Sequence, residues 1–170
     1  MRGRRSGFTL IELILVMIVI FTLATIVAPR FTDSVPSHQV RTSTGRLFAW
    51  ARKACSDAAL TGCRQRVVMD SAKKTFWIEV EMRPIKEPGK FTKLSGSWGE
   101  EFLPDEVAFE TIDGPETDPN NSALRYLEFR PDGTSSEATI IVSNENGDRQ
   151  TLRVEAATSK VYIEQAKDEQ

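Results

Sequence analysis

The 170-residue sequence has one histidine and two cysteines, and these shortages exclude several kinds of site. Cys55 and Cys63 are too few for a disulfide-rich scaffold or for a zinc site built from cysteine alone. The sequence also lacks a glycine-rich phosphate loop and a paired-histidine metal motif. The sequence identifies no nucleophile that would act with His38, and we interpret it as an exposed residue. The sequence therefore predicts a protein that is not an enzyme, with no catalytic residue, cofactor or metal.

Charge is nearly balanced overall but is distributed unevenly. The 22 basic and 24 acidic residues give a net charge of −2, which does not indicate nucleic-acid binding. Residues 13–28 carry no charge, and three arginines lie within the first five residues. The apolar run from residue 8 to 28 is long enough to cross a hydrocarbon core of about 30 Å. The arginines predict a cytoplasmic N-terminus, with the remainder outside.

Glu12 needs an explanation, because it lies near the start of this apolar run. A carboxylate at mid-bilayer costs about 2.5–3.5 kcal/mol, so such residues usually have a partner and a role. A cleaved secretory signal and an ordinary single-pass anchor are the alternatives for the segment. Neither accounts for the acidic residue.

The segment "GFTLIE", residues 7–12, follows the basic leader directly and precedes the apolar run. This combination resembles the class III signal of type IV prepilins and type II secretion pseudopilins. The resemblance implies that a prepilin peptidase cuts between Gly7 and Phe8 on the cytoplasmic side and N-methylates Phe8. Glu12 matches the family's acidic residue, and Pro29 matches its helix-kinking proline.

Elementary electrostatics supports that role for Glu12. After cleavage, Phe8 would carry a cationic amine one helical turn from the carboxylate. A buried cation and a buried anion are tolerated when they are paired. The pair can close within one subunit, or Glu12 can accept the amine of a neighbouring subunit and so set the register of assembly. A carboxylate that merely reaches the membrane interface is the alternative.

The chain divides into four predicted parts: a leader at 1–7, a transmembrane helix at 8–29, an amphipathic helix at 30–62 and a periplasmic β-rich head at 63–170. Pro29 and Pro36 predict a kink or local melting between them. Helical spacing then places seven residues on one stripe, with Gly62 as the stop. The stripe comprises Val40, Thr44, Leu47, Phe48, Ala51, Cys55 and Ala58.

The sequence of the head predicts short strands separated by turn residues. In residues 75–82 the apolar side chains alternate strictly, which predicts Phe76, Ile78, Val80 and Met82 on one face, and "SAKK" before them favours a hairpin. Longer loops are predicted at 83–105 and 113–123. The fold class is α+β, pilin-like: a long N-terminal helix docked on an antiparallel sheet or sandwich. The predicted strands are 66–70, 75–82, 107–112, 126–130, 139–143, 150–155 and 160–164.

A helix followed by a β head with the phrase F-x-P-x-G, here Phe129, Pro131 and Gly133, resembles the GspH/FimT group of minor pseudopilins and minor pilins. The resemblance implies a subunit at or near the tip of a periplasmic filament that drives protein export in type II secretion. It implies as partners other major and minor pseudopilins, the prepilin peptidase and an inner-membrane assembly platform. The alternative is a type IV minor pilin acting in pilus assembly or DNA uptake. The acidic C-terminus argues against DNA.

Two questions stay open at this point. Cys55 and Cys63 would lie in an oxidising compartment and could form a disulfide, or each could be a separate thiol. The loop at 113–121 gathers oxygen ligands suited to calcium, but it lacks EF-hand spacing.

Overall fold

A computed structural model of the chain describes residues 9–27, 34–118 and 121–164. The predicted leader and the junction at Pro29 lie outside them. The chain divides into two compact units, Met1–Val35 and Pro36–Gln170. The described helices are α1 (Leu10–Val27) and α2 (Ser34–Thr61). The described strands are β1 (Gln65–Asp70), β2 (Thr75–Val80), β3 (Thr92–Lys93), β4 (Glu101–Phe102), β5 (Val107–Asp113), β6 (Glu116–Asp118), β7 (Asn121–Phe129), β8 (Ala138–Asn144), β9 (Arg149–Val154) and β10 (Val161–Glu164).

Helix α2 forms because apolar side chains recur along it at three- and four-residue spacing. The predicted stripe is buried or half-buried, as expected, and Trp50 and Ala54 extend the buried face. Pro36 lies in the first turn, where its missing N–H costs no helical hydrogen bond. The helix stops before Gly62, whose φ of 67° is left-handed and whose N–H donates to the Ala58 carbonyl at 3.1 Å.

The β-strands form two antiparallel sheets. A six-stranded sheet has the order β3-β2-β1-β7-β6, with β4 also paired to β2, and a four-stranded sheet has the order β10-β9-β8-β5. The hairpin from β1 to β2 forms as predicted, with Asp70 opposite Thr75. The Asp70 carboxylate closes its turn by accepting the N–H groups of Ala72 and Lys73, each at 3.0 Å.

One hydrophobic core joins α2 to both sheets. Trp50 of α2 packs edge-on against Phe76 of β2, with ring centroids 5.1 Å apart. Phe129 of the six-stranded sheet and Leu152 of the four-stranded sheet are both fully buried. Each such side chain contributes about 1.5–3 kcal/mol through burial. The predicted α+β class, a helix docked on an antiparallel β head, is therefore confirmed.

Several predicted boundaries were wrong in detail. Strand β2 ends at Val80, and Met82, predicted on one face with Phe76, Ile78 and Val80, is 64% exposed. The alternation breaks because the intervening Glu81 turns inward and is buried. Strand β7 begins at Asn121 rather than at residue 126, and the predicted loops contain β3, β4 and β6. Strands of two or three residues are too short to show a period of two in the sequence.

The F-x-P-x-G residues form the turn from β7 to β8. Gly133 has a φ of 84°, a left-handed conformation that glycine adopts without strain. The Asp132 carboxylate accepts the N–H and the hydroxyl of Thr134, at 2.9 and 2.7 Å. These bonds hold the pKa of Asp132 below its usual range. The motif is thus a closed turn at the end of a buried strand.

This turn also ties the two sheets together. Ser135 donates its N–H to the Ala156 carbonyl at 2.9 Å and its hydroxyl to the Glu155 carbonyl at 3.2 Å. The Ser159 hydroxyl donates to the Gly133 carbonyl at 2.9 Å. Because β7 lies in the six-stranded sheet and the turn from β9 to β10 belongs to the four-stranded one, three hydrogen bonds connect them.

A second crossing between the sheets depends on glycine. Strand β5 belongs to the four-stranded sheet and β6 to the six-stranded one, and only Gly114 and Pro115 separate them. Gly114 has a φ of 88°, and a Cβ at this position would overlap the backbone carbonyl of Glu137. A side chain is excluded here by both the conformation and the space.

Candidate functional site

The predicted processing residues Gly7 and Phe8 lie outside the described residues. The first described residue, Thr9, caps helix α1. Its carbonyl accepts the N–H of Glu12 at 3.1 Å, and its hydroxyl lies 3.4 Å from the same nitrogen. A threonine followed three residues later by a glutamate has the spacing of a capping box. Local sequence therefore starts α1 directly after the predicted cleavage point.

Glu12 lies in the first turn of α1, and its side chain is exposed. A negative charge in that position is favoured by the helix dipole, by about 0.3–1 kcal/mol. The carboxylate is therefore compatible with the helix of a single subunit. Its exposure leaves it able to accept a cation from another chain.

The rest of α1 presents apolar side chains to its surroundings. The large apolar residues between Leu10 and Leu23 are 48–79% exposed. A continuous exposed apolar surface of this length marks a contact with lipid or with protein. Within the part of the chain that the structure describes, no helix has both the length and the apolarity required of a membrane span.

A buried carboxylate, Glu81, organises one end of the head. Its side chain is 2% exposed and accepts two hydrogen bonds from Arg64, at 2.8 and 2.6 Å. It also accepts the N–H of Gly89 at 2.5 Å, which fixes the loop after β2. The guanidinium of Arg64 holds the pKa of Glu81 below its ordinary value, with the Gly89 bond acting in the same direction. The group is therefore a charged, hydrogen-bonded anchor for the loop.

The sequence analysis did not predict the contact between Glu81 and Arg64, although the register of the hairpin indicates it. Strict alternation along β2 places Glu81 on the solvent face. In the hairpin, however, Gln65 lies opposite Val80, so the next cross-strand pair is Arg64 with Glu81. Opposite charges at facing positions of two antiparallel strands are a recognised stabilising pair. Register, rather than periodicity, would have identified the contact.

Arg66 is a second organising cation in the same sheet. Its guanidinium lies 4.0 Å from the ring centroid of Phe91 and 4.7 Å from that of Tyr126. It pairs with Glu79 at 2.8 Å and lies 3.8 Å from Asp118. A planar guanidinium suits this combination of stacking and pairing. It joins β1 and β2 to β6, β7 and the loop that carries Phe91.

Tyr126 donates its hydroxyl to the Glu116 carboxylate at 2.7 Å, which joins β7 to β6. Burial raises the pKa of Tyr126 to about 12, and the hydrogen bond to Glu116 adds to the shift. The contact is structural and holds the edge strand of the sheet.

Both cysteines are free thiols in the structure. Cys55 packs against the core on the buried side of α2. The thiol of Cys63 lies 3.6 Å from the Thr61 carbonyl. The two sulfur atoms thus have separate surroundings.

His38, which we interpreted from the sequence as an exposed residue, makes a local contact. The ring of His38 lies 3.2 Å from the Thr42 hydroxyl, one helical turn away, and the residue is exposed. Among the described residues, which leave out 119 and 120 of the predicted calcium loop, no cluster of three or more histidine, cysteine or acidic side chains could hold a metal.

Comparison with known proteins shows similarity in the N-terminal segment and in the fold. Residues 2–28 match the family model of the prokaryotic N-terminal methylation motif. A solved structure of Escherichia coli GspH matches with 17% identity and a TM-score of 0.58, covering 81% of this chain and 95% of that one. The chain has the pilin-like fold of minor pseudopilins.

Two further structures share this minor-pseudopilin fold. The minor pseudopilin EpsH of the Vibrio cholerae type II secretion system is 10% identical, with a TM-score of 0.59 over 76% of this chain and 95% of that one. The type IV minor pilin FimU of Pseudomonas aeruginosa is 12% identical, with a TM-score of 0.50 over 75% and 90%. No curated protein shows significant sequence similarity. The resemblance to the GspH/FimT group is confirmed at the level of N-terminal motif and fold.

Proposed function

We propose that the chain is a minor pseudopilin of a type II protein secretion system, assembled at or near the tip of a periplasmic pseudopilus that drives protein export. The observation that carries this proposal is the methylation motif at residues 2–28 on a chain with the minor-pseudopilin fold. In this proposal residues 8–29 anchor the chain in the bacterial inner membrane as a single span. The N-terminus is cytoplasmic and the head periplasmic.

Processing and assembly follow from the N-terminal residues. Prepilin peptidase cuts between Gly7 and Phe8 and methylates the new amine, and the inner-membrane assembly platform then receives the subunit. The exposed Glu12 carboxylate accepts the amine of an adjacent major or minor pseudopilin. The exposed apolar side chains of α1 contact lipid before assembly and neighbouring subunits after it. No step is catalytic; the chain acts by contact and position.

The second candidate function is that of a type IV minor pilin, and the fold that the chain shares with FimU supports it. Deleting the chain in its own host separates the two candidates. A type II pseudopilin is required for the export of folded proteins to the medium and leaves surface pili in place. Loss of pili with normal export would instead establish the pilus role.

Mass spectrometry of the mature protein tests processing. The expected species begins with an N-methylated Phe8. Replacing Gly7 with a bulky residue should leave an uncut, membrane-inserted precursor that does not enter filaments. Functional filaments that still contain Met1 would contradict the proposal.

Cross-linking to neighbouring subunits tests Glu12. Glu12→Gln keeps the shape and removes the charge, so it should be processed and inserted normally but recruited poorly. Glu12→Ala and Glu12→Leu should behave alike, and the leucine variant should insert at least as well, because an unpaired charge has been removed. Glu12→Asp keeps the charge and should retain part of the recruitment. Wild-type cross-linking by all the neutral variants would contradict the role.

A further inference from the structure

A basic cleft of about 310 Å³ lies between α2 and the turn from β9 to β10. Helix α2 contributes Arg52, Cys55 and Ser56 to it, which share one face because they are three and four residues apart. The turn contributes Thr158 and Lys160 on the opposite wall. The cleft thus places two cations and two exposed hydroxyl groups around one space.

Its charges lack a counterpart among the described residues. Arg52 and Lys160 form no ion pair with any acidic side chain in the described part of the chain. By contrast, the adjacent Lys53 pairs at 2.7 Å with an aspartate one helical turn along. Arg52 lies 5.8 Å from the ring centroid of Phe48, and Lys160 lies 5.8 Å from that of Tyr162. Both cations are exposed and available to an anion.

The turn that forms one wall is held rigidly. Ser159 is 5% exposed and has a φ of 50°, a conformation that a non-glycine residue keeps only when its surroundings impose it. Its hydroxyl bond to the Gly133 carbonyl supplies that constraint. The Glu155 N–H donates to the Lys160 carbonyl at 3.0 Å, and the Thr158 hydroxyl donates to the Glu155 carboxylate at 3.1 Å. The F-x-P-x-G turn therefore supports the cleft from behind.

We propose that this cleft receives a carboxylate-bearing segment of a neighbouring filament subunit, an inference that rests on the proposed function. Two cations and the exposed hydroxyl of Ser56 select an anion. Cys55 and Val161 add apolar lining against which the methylene groups of a glutamate side chain can pack. Inorganic phosphate has no such groups. The volume lies at the lower end of the range for ligand sites, which fits one or two side chains and not a folded domain.

Cys55 provides a reporter inside the cleft. In a Cys63→Ser background, the full-length chain in neutral detergent is alkylated with uncharged N-ethylmaleimide. The probe is the capped peptide Ala-Glu-Ala-Glu-Ala, with its glutamine counterpart and inorganic phosphate as controls. The glutamate peptide is expected to slow alkylation of Cys55, and the glutamine peptide is not. Equal protection by the glutamine peptide, or by phosphate at the same concentration, would overturn the proposal.

Matched variants assign the effect to the two cations. Arg52→Gln and Lys160→Gln should each raise the half-protecting peptide concentration about two- to fivefold, as expected for one exposed ion pair. Arg41→Gln removes the same charge from an exposed position of the same helix and should change nothing. Equal effects at Arg41 and Arg52 would mean that general charge, and not the cleft, attracts the peptide.

Incorporation into filaments separates this inference from the proposed function. The Arg52→Gln, Lys160→Gln double variant should be processed normally and cross-linked less to neighbouring subunits than the wild type. Normal incorporation of the double variant would overturn the docking role while leaving the pseudopilin role intact. Failure of the wild-type chain to enter filaments would overturn both.

Discussion

Removing the buried carboxylate of Glu81 should destabilise the head by about 2–3 kcal/mol. Breaking a fully buried ion pair costs about 3–5 kcal/mol, because one charge is left without a partner. Here the Arg64 side chain is 35% exposed, so water recovers part of that loss. Glu128 also stays 3.5 Å from Arg64 and retains part of the attraction. The Gly89 N–H loses its acceptor as well. The expected loss of stability is therefore smaller than that from breaking a fully buried ion pair.

Urea unfolding of the full-length chain in detergent, followed by tryptophan fluorescence, measures the loss. Trp77 and Trp98 lie in the head, and Trp50 of α2 packs against Phe76 of the head. The matched control is Glu87→Ala, whose partner Lys90 is 3.4 Å away with side chains 42% and 70% exposed. An exposed pair of this kind contributes at most about 0.5–1 kcal/mol. If Glu81→Ala costs no more than the control, the anchor described above has no energetic role.

Acid should remove the advantage of Glu81. Its pKa in the folded protein is below the ordinary value of 4.5, chiefly because Arg64 donates to it. Stability from a carboxylate with a lowered pKa is fully present above 4.5 and disappears as the pH falls through the folded value. The difference between wild type and Glu81→Ala should therefore shrink at progressively lower pH below 4.5. A cost that stays constant over that range would refute the electrostatic explanation.

The remaining predictions concern backbone space, thiols and a tyrosine. Gly147→Ala should cost about 1–2 kcal/mol, because φ is 88° and space is open, whereas Gly114→Ala at the same φ should cost about 1–3 kcal/mol more through overlap with backbone. Equal losses of unfolding free energy would contradict that steric argument. Maleimide should label both Cys55 and Cys63 in the denatured, unreduced chain; mass spectrometry showing no label would demonstrate a bridge. Ultraviolet titration should show Tyr126 ionising near pH 12, with Tyr126→Phe removing that transition.

The helix and most strands could be predicted because their patterns repeat locally. The stripe on α2 and the turn residues around Asp70 and Gly133 each identify their element within a few positions. Contacts between distant segments could not be predicted in the same way. The loop bond from Gly89 to Glu81 and the strand β6 depend on which strands become neighbours, and no local periodicity encodes that.

The same difference between local patterns and long-range contacts applies to the candidate site. The prediction that Glu12 has a special role follows from the cost of a carboxylate in an apolar run, which the order of residues shows directly. The sequence alone did not predict the basic cleft. Arg52 and Lys160 are far apart in the chain, and the cleft exists only because the turn from β9 to β10 lies beside α2. Charged residues that come together only in the tertiary structure have no characteristic spacing in the sequence.

The strand order of the two sheets determines when the head can complete its folding. The hairpins from β1 to β2, β8 to β9 and β9 to β10 join neighbours in the chain, and local closure of this kind takes microseconds. The pairing of β1 with β7 instead brings together Gln65 and Phe129, which are far apart in the sequence. Such closure is slow because loop entropy is lost before contacts are gained. Core residues Leu152 and Val161 come later still. A head synthesised residue by residue from its N-terminal end would therefore stay incompletely folded until its last strands had been made.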